Sequence, residues 1–257
     1  MKITMALALS ALLTASFTNA AGKTGDDSNG ADRRPVLLEL FTSEGCSSCP
    51  PADKLLQSFD KGQPVAGADL IVLSEHVDYW NHGGWSDPFS SAAFSARQRD
   101  YADTLGLDSV YTPQLIVDGS AELVGSNAVE ARNEIMKAIR QNKIPITLTN
   151  VVRHGDRVSV HLELGALTAG KGNATVYLAL ADNEDHSQVA HGENTGRSLT
   201  HVAVVRTLMP IGTLGSSGFK KDVTIPLKSG GQSGLRVVAF VQERTSRKVL
   251  GVAQQKL

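Results

Sequence analysis

Apolar positions along the chain follow two regimes, one on each side of residues 143–145. On the N-terminal side, Pro35–Phe41 (Pro-Val-Leu-Leu-Glu-Leu-Phe) is almost continuously apolar, as expected of a strand buried on both faces of a parallel sheet. After Thr42-Ser43-Glu44-Gly45 and a short polar loop, Ala52–Phe59 carries helix formers with Leu55, Leu56 and Phe59 at helical spacing. A second apolar run, Leu70–Leu73, follows Gly62, Pro64 and Gly67. Strand, helix and strand in this order predict a parallel pair with a right-handed crossover. Asp78–Trp85 has no period and reads as a loop. Asp87-Pro88 offers a cap and a first-turn proline for a helix to about Leu105, stopped by Gly106, with Phe94, Tyr101 and Leu105 inward. Gln114–Val117 and Ala121–Val124, separated by Asp118-Gly119-Ser120, predict a hairpin. Asn127 with Glu130 predicts a capping box that opens a helix to about Arg140, its inward face Ala131, Ile135, Ala138 and Ile139.

Beyond Lys143 the period changes to two. Val158-Val160-Leu162-Leu164, Val176-Leu178-Leu180, Val223-Ile225-Leu227 and Leu235-Val237-Ala239-Val241 alternate, with Gly, Asn, Asp or Ser in the gaps. Short alternating strands between turn signals predict an all-β sandwich. With 257 residues against a prior of roughly 150 per domain, two domains are expected: an α/β domain of order β-α-β-α-β-β-α over residues 35–143, then a β-sandwich over 144–257.

Composition narrows the class. Hydrophobic residues at 41% and charged residues at 20% exclude a disordered or collagen-like chain. A formal charge of −1 gives no electrostatic footprint for nucleic acid or an anionic membrane. The N-terminus has a charged start at Lys2, an apolar run Ile3–Leu13 and a small-residue end Thr18-Asn19-Ala20-Ala21. That is the anatomy of a secretory signal peptide over residues 1–21, with a flexible leader over 22–34. An N-terminal anchor is the competing reading, but the apolar core is short for a span and no later segment approaches ~18 uninterrupted apolar residues. The expected location is periplasmic or secreted, an oxidising setting without a membrane span after cleavage.

Both cysteines lie in one stretch, Cys46-Ser47-Ser48-Cys49, at the junction of a buried strand and a helix. A thiolate is the reactive species, and free N–H groups at a helix N-terminus stabilise it. A two-residue gap keeps the second sulfur in reach of a mixed disulfide. In that scheme Cys46 is the exposed nucleophile and Cys49 the resolving thiol, the pair itself being the redox group with no further cofactor. The competing reading is a structural staple, although so small a loop contributes little closure entropy.

This placement resembles the thioredoxin-like superfamily, and Thr112-Pro113 just before the hairpin stands where those proteins keep a cis proline facing the disulfide. Resemblance therefore implies a cis Thr112–Pro113 bond that positions an extended substrate segment. A closer resemblance is to a bacterial family of secreted thioredoxin-like proteins known as domain of unknown function 1223. It is carried by Leu40–Asp53, Glu75–Asn81 with Gly84-Trp85, Tyr111–Gln114, and Gly192-Glu193-Asn194 with Gly196-Arg197 and His201. Two departures from ordinary thioredoxins stand out. Gly45 replaces the usual aromatic before the first cysteine, and Pro50-Pro51 follows the second. A residue before proline avoids the α region, which puts the expected helix start near Pro51. Glu44 is expected to be an exposed loop residue; a carboxylate close to Cys46 would oppose thiolate formation.

Both tryptophans fall in the loop after the second strand, beside His76, Asp78, Tyr79, Asn81 and His82. In a parallel sheet this loop shares the cysteine side. His76, Asp78, Trp80, His82 and Trp85 are candidates for a groove wall with a proton-shuttling histidine, or Trp80 and Trp85 simply pin an ordered loop. Two thiolates and an imidazole also suit copper or zinc, which makes a copper-binding chaperone a further alternative, but exported thioredoxin-like proteins that deliver copper generally space their cysteines by three residues, so no metal site is assigned. His191–Arg197 is a polar glycine-bearing loop from which Glu193 or Arg197 could reach the cysteine face; a plain structured turn is the alternative. No nucleophile elbow, P-loop or dinucleotide fingerprint is present. The leading expectation is an exported thiol–disulfide exchange protein whose partners are envelope protein thiols or a redox partner. The alternative is a scaffold with a structural disulfide.

Overall fold

The computed structural model describes Met1 and residues 33–167, 174–227 and 234–257. The expected signal segment and nearly all of the leader lie outside these residues. Strands β1 (Arg34–Thr42) and β2 (Ala68–His76) pair in parallel with Leu38 opposite Val72, and helix α1 (Pro50–Gly62) crosses between them. On its other side β1 pairs antiparallel with β3 (Gln114–Val117), which forms a hairpin with β4 (Ala121–Val124). Helix α2 (Ala92–Leu105) precedes the hairpin and α3 (Ala128–Ala138) follows it. The predicted order β-α-β-α-β-β-α is therefore present.

The local signals act largely as read. Gly106 caps α2 in the left-handed region at φ 69°, a conformation that glycine adopts without steric cost. The Asn127 side chain accepts from the Glu130 N–H and donates to its carboxylate, closing the expected capping box. One helix start differs. α2 begins at Ala92 with Ser91 as its cap, not at Asp87-Pro88; Asp87 caps only a single turn, its Oδ1 accepting from the Phe89 N–H while Oδ2 is held by His76 and the Glu44 N–H.

The C-terminal half departs from the expected separate sandwich. It forms β5 (Ile146–His154), β6 (Arg157–Leu164), β7 (Ala174–Gln188), β8 (Ser198–Leu214), β9 (Phe219–Pro226), β10 (Leu235–Glu243) and β11 (Val249–Lys256). Four of these join the first sheet to give one eight-stranded sheet, β11-β10-β7-β8-β2-β1-β3-β4; the others make a three-stranded sheet, β5-β6-β9. The seam is the parallel contact of β2 with β8 at Ser74 and Val204. A sandwich layer does exist: Val160 and Leu162 of β6 pack against Val176, Leu178, Val237 and Ala239 of β7 and β10. It shares its large sheet with the α/β half, and residues 32–257 form one compact unit. The physical reason is strand length. β7 and β8 run for 15 and 17 residues, so one stretch of the pair covers the small sheet while another carries β8 alongside β2 and α1. Alternation reports which face of a strand is buried and says nothing of which strand lies at its edge.

Two buried polar links cross the expected boundary. Arg236 of β10, 1% exposed, grips Asp60 of α1 with both terminal nitrogens, at 2.7 and 3.0 Å. Tyr101 of α2 donates to Glu39 and accepts from Gln242 of β10, while Arg97 donates to Glu39 at 2.8 Å. Because removing one partner strands a buried charge, Asp60→Ala is expected to destabilise the protein by about 3–5 kcal/mol. Chemical denaturation checks this: one cooperative transition should shift as a whole, whereas a loss confined to the first of two transitions would contradict the shared core.

Candidate functional site

The polar loop after β1 carries a closed Cys46–Cys49 disulfide with Cα atoms 5.5 Å apart. Cys49 is itself the N-cap of α1, in right-handed helical conformation at φ −75° and ψ −37°, and Pro50 opens the helix. The helix thus starts one residue earlier than the proline rule suggested, since Ala52 and Asp53 already donate to the Cys49 carbonyl at 2.8 and 3.1 Å. Pro50 and Pro51 have no N–H to satisfy at positions where the helix would leave them unpaired. Cys46 differs from its expected exposure: both cysteines are 0% exposed, while Ser47 and Ser48 face solvent.

Segments far apart in sequence meet at this loop. The Thr112–Pro113 bond is cis. Trp80 donates from Nε1 to Thr112 Oγ1 at 2.7 Å, and the Ser48 hydroxyl lies 3.5 Å from the Thr112 carbonyl. Trp80 also explains Gly45, because a Cβ there would stand 3.0 Å from the Trp80 Cβ and 3.2 Å from its carbonyl oxygen. Trp85 donates to the Glu44 carboxylate at 2.7 Å. Of the other groove candidates, Asp78 is tied to Ser95, His82 is exposed, and His76 is buried at the end of β2, facing Asp87 at 2.7 Å.

Beneath the loop lies a buried ionic cluster. Glu44, expected on the surface, is 0% exposed. Its carboxylate accepts from Trp85 and from the Ser187 hydroxyl and stands 3.3 Å from His201 Nε2. On the other side of that ring, Nδ1 is 3.7 Å from Asp53 Oδ2; Asp53 Oδ1 accepts from Thr42 at 2.9 Å. Neither imidazole nitrogen makes a well-directed hydrogen bond, so His201 is coupled to its neighbours mainly by charge. Burial by itself would pull the His201 pKa down, yet the flanking Asp53 and Glu44 push it up to about 10. Burial likewise works to raise Asp87, but His76 and the N–H groups of Glu44 and Phe89 hold it down at about 2. The His76 and His201 rings meet edge to face at 4.6 Å. Asp53 and His201 were not singled out by sequence chemistry. The available signals were Asp53 one turn after Cys49 and a histidine at an inward position of an alternating strand.

The loop between β7 and β8 closes over this assembly. Glu193, as considered possible, reaches the Ser47 N–H at 3.2 Å, whereas Arg197 stays exposed. Asn194, which sequence reasoning passed over, is 1% exposed and donates to the carbonyls of Glu44 and Cys46 at 2.8 and 2.9 Å. Among the described residues, no group of three or more His, Cys, Asp or Glu is arranged to hold a metal ion, and no helix is long and apolar enough to cross a membrane.

A mixed, sheet-dominated α/β protein, with three helices among the described residues and a disulfide at a helix N-terminus beneath a cross-half loop, is the class that fold and site define. The chain belongs to the family described as protein of unknown function DUF1223, whose model matches residues 37–242. The crystal structure of an Agrobacterium tumefaciens protein is similar, at 28% identity and a TM-score of 0.65, covering 85% of this chain and 92% of that one. A domain of the outer membrane lipoprotein Omp28 from Porphyromonas gingivalis matches at 17% identity and a TM-score of 0.32, covering 45% of this chain and 88% of that one, too distant to bear on fold or function. No protein of curated function matches.

The ionic cluster has a signature in pH. Because the His201 pKa is raised from its ordinary value of about 6.5 to about 10, the stabilisation it brings is complete below the lower value and is lost as pH rises through the upper one. Unfolding free energy should therefore fall between pH 7 and 10, with a slope of at most about 1.4 kcal/mol per pH unit from this group. His201→Gln should flatten that slope in denaturant titrations at several pH values; an unchanged slope would refute the assignment.

Proposed function

We propose that the protein is an exported, thioredoxin-like thiol–disulfide exchange protein that acts through Cys46 and Cys49 on the thiols of other envelope proteins. The observation that carries this reading is the position of the disulfide, at the start of α1 and against the Thr112–Pro113 turn and Trp80. Export is inferred from the pattern of the first 21 residues.

The exchange runs through a mixed disulfide. A partner thiolate attacks Cys46 Sγ, the Cys46–Cys49 bond breaks, and Cys49 leaves as a thiolate that takes up a proton. A second partner thiolate then attacks the partner's sulfur in the mixed disulfide and releases Cys46. The partner ends as a disulfide and this protein as a dithiol, and the reverse sequence oxidises it again.

Full burial of both sulfurs favours the second reading, a scaffold protein with a permanent bridge. One measurement separates the two: equilibration of the mature protein against dithiothreitol or glutathione, with mass-tagging of free thiols. The exchange reading expects a reversible couple between about −120 and −270 mV, and a Cys49→Ser variant that accumulates mixed disulfides. A pair that stays oxidised below about −300 mV would establish the structural bridge instead.

A further inference from the structure

The loop between β7 and β8 fastens itself chiefly to the main chain of the cysteine loop, with the Ser47 hydroxyl as a further contact of Glu193. The Asn194 amide donates to two carbonyls, those of Glu44 and Cys46, and the Glu193 carboxylate accepts from the Ser47 N–H. All three contacts join segments about 150 residues apart. Within itself the loop is a closed unit: Gly196 N–H donates to the Val189 carbonyl at 2.8 Å, Val189 N–H to Arg197 at 3.0 Å, and Arg197 N–H to Asn194 at 3.1 Å. Gly192 and Gly196 bracket Asn194 at φ 79° and 80°, conformations that leave glycine free to change its backbone angles. Gly192 also sits close to the aromatic loop, with the Gly83 carbonyl and the Trp85 Cβ at 3.2 and 3.3 Å from where its own Cβ would be.

The closed arrangement is not fully satisfied. Asn194 Oδ1 is buried with no hydrogen-bond partner, a standing cost of closure. Meanwhile the disulfide that any partner thiolate must reach in line is 0% exposed at both cysteines. A tightly built cover over a buried reactive bond, with glycines on either side of its anchoring residue and one frustrated polar atom, is the construction of a lid.

We propose that Val189–Arg197 is an autoinhibitory lid over the Cys46–Cys49 disulfide, and that an extended polypeptide segment opens it. Such a segment displaces Asn194 and Glu193 by offering its own backbone N–H groups to the Glu44 and Cys46 carbonyls and a carbonyl to the Ser47 N–H. This rests on the exchange reading and assigns its regulation. A folded partner without a free extended segment leaves the lid shut; an unfolded or locally extended chain carrying the thiols opens it. The electrons come from that partner's dithiol, as in the exchange written above.

The test is the rate at which dithiothreitol reduces the disulfide in the full mature chain, followed by thiol tagging under conditions where the native fold is verified by circular dichroism. Dithiothreitol supplies two thiols and ends as its cyclic disulfide, so it reports access without needing the natural partner. Asn194→Ala is expected to speed reduction at least tenfold, the equivalent of about 1.4 kcal/mol removed from lid closure. The surface substitution Glu193→Gln is expected to give a smaller increase of about twofold, and keeps the test open if Asn194→Ala does not fold. An unlabelled extended peptide without cysteine should accelerate reduction of the wild type and leave the opened variant unaffected. If the variants are reduced at the wild-type rate while the pair shows a reversible potential, the lid is overturned and the exchange reading stands. If the disulfide is reduced in none of them until the protein unfolds, the exchange reading fails and the lid with it.

Discussion

The parallel contact of β2 with β8 is the constraint from which the rest of the site follows. Just ahead of that pair β8 passes through a left-handed residue, Ala203 at φ 51°, and the stretch before it reaches His76 at the end of β2 and Glu44 after β1. His201 enters near the start of β8, three residues before the paired Val204, and thereby comes between Glu44 and Asp53. The same stretch of chain accordingly supplies both the cation between Glu44 and Asp53 and, just before it, the loop that binds the backbone of Glu44, Cys46 and Ser47. The adjoining core uses the same seam, since Val202 and Ala203 pack with Leu56 and Phe59 of α1.

Charge organises the space below the cysteines. Burying Glu44 and Asp53 would be prohibitive for isolated carboxylates, and His201 between them provides the compensating charge. Trp85, Ser187 and Thr42 take up further oxygen lone pairs with directed hydrogen bonds. The second pair, His76 with Asp87, does the same for the start of the aromatic loop and fixes the Glu44 backbone through its N–H. Two histidines and three carboxylates thus hold the two loops in register, and a change in any one of them is felt by the others.

Much of the N-terminal half was legible in the chain itself. Continuous apolar runs gave β1 and β2, Asn127 with Glu130 gave the cap of α3, and Gly106 gave the end of α2, because each depends on neighbours within a few residues. The helix start at Asp87-Pro88 came too early, since the Asp87 cap closes only a local turn on the Phe89 N–H and the helix proper is capped by Ser91. Glu44 was misplaced for a tertiary reason: a loop carboxylate looks solvated until β7 and β8 arrive with Ser187 and His201. The joined sheet was beyond reach because period two reports faces and not edges, and β5, β8 and β11 carry weaker alternation than the strands that were read. Asn194 stood inside a segment already noted, but only its two distant carbonyl partners give it meaning.

Because the β7–β8 loop holds the cysteine loop chiefly by its backbone, through the Glu44 and Cys46 carbonyls and the Ser47 N–H, a change of side chain at Ser47 or Ser48 costs the hydroxyl contacts these residues make with Glu193 and Thr112. An insertion between the cysteines, which moves the carbonyls and the N–H themselves, would break that hold whatever residue it brought.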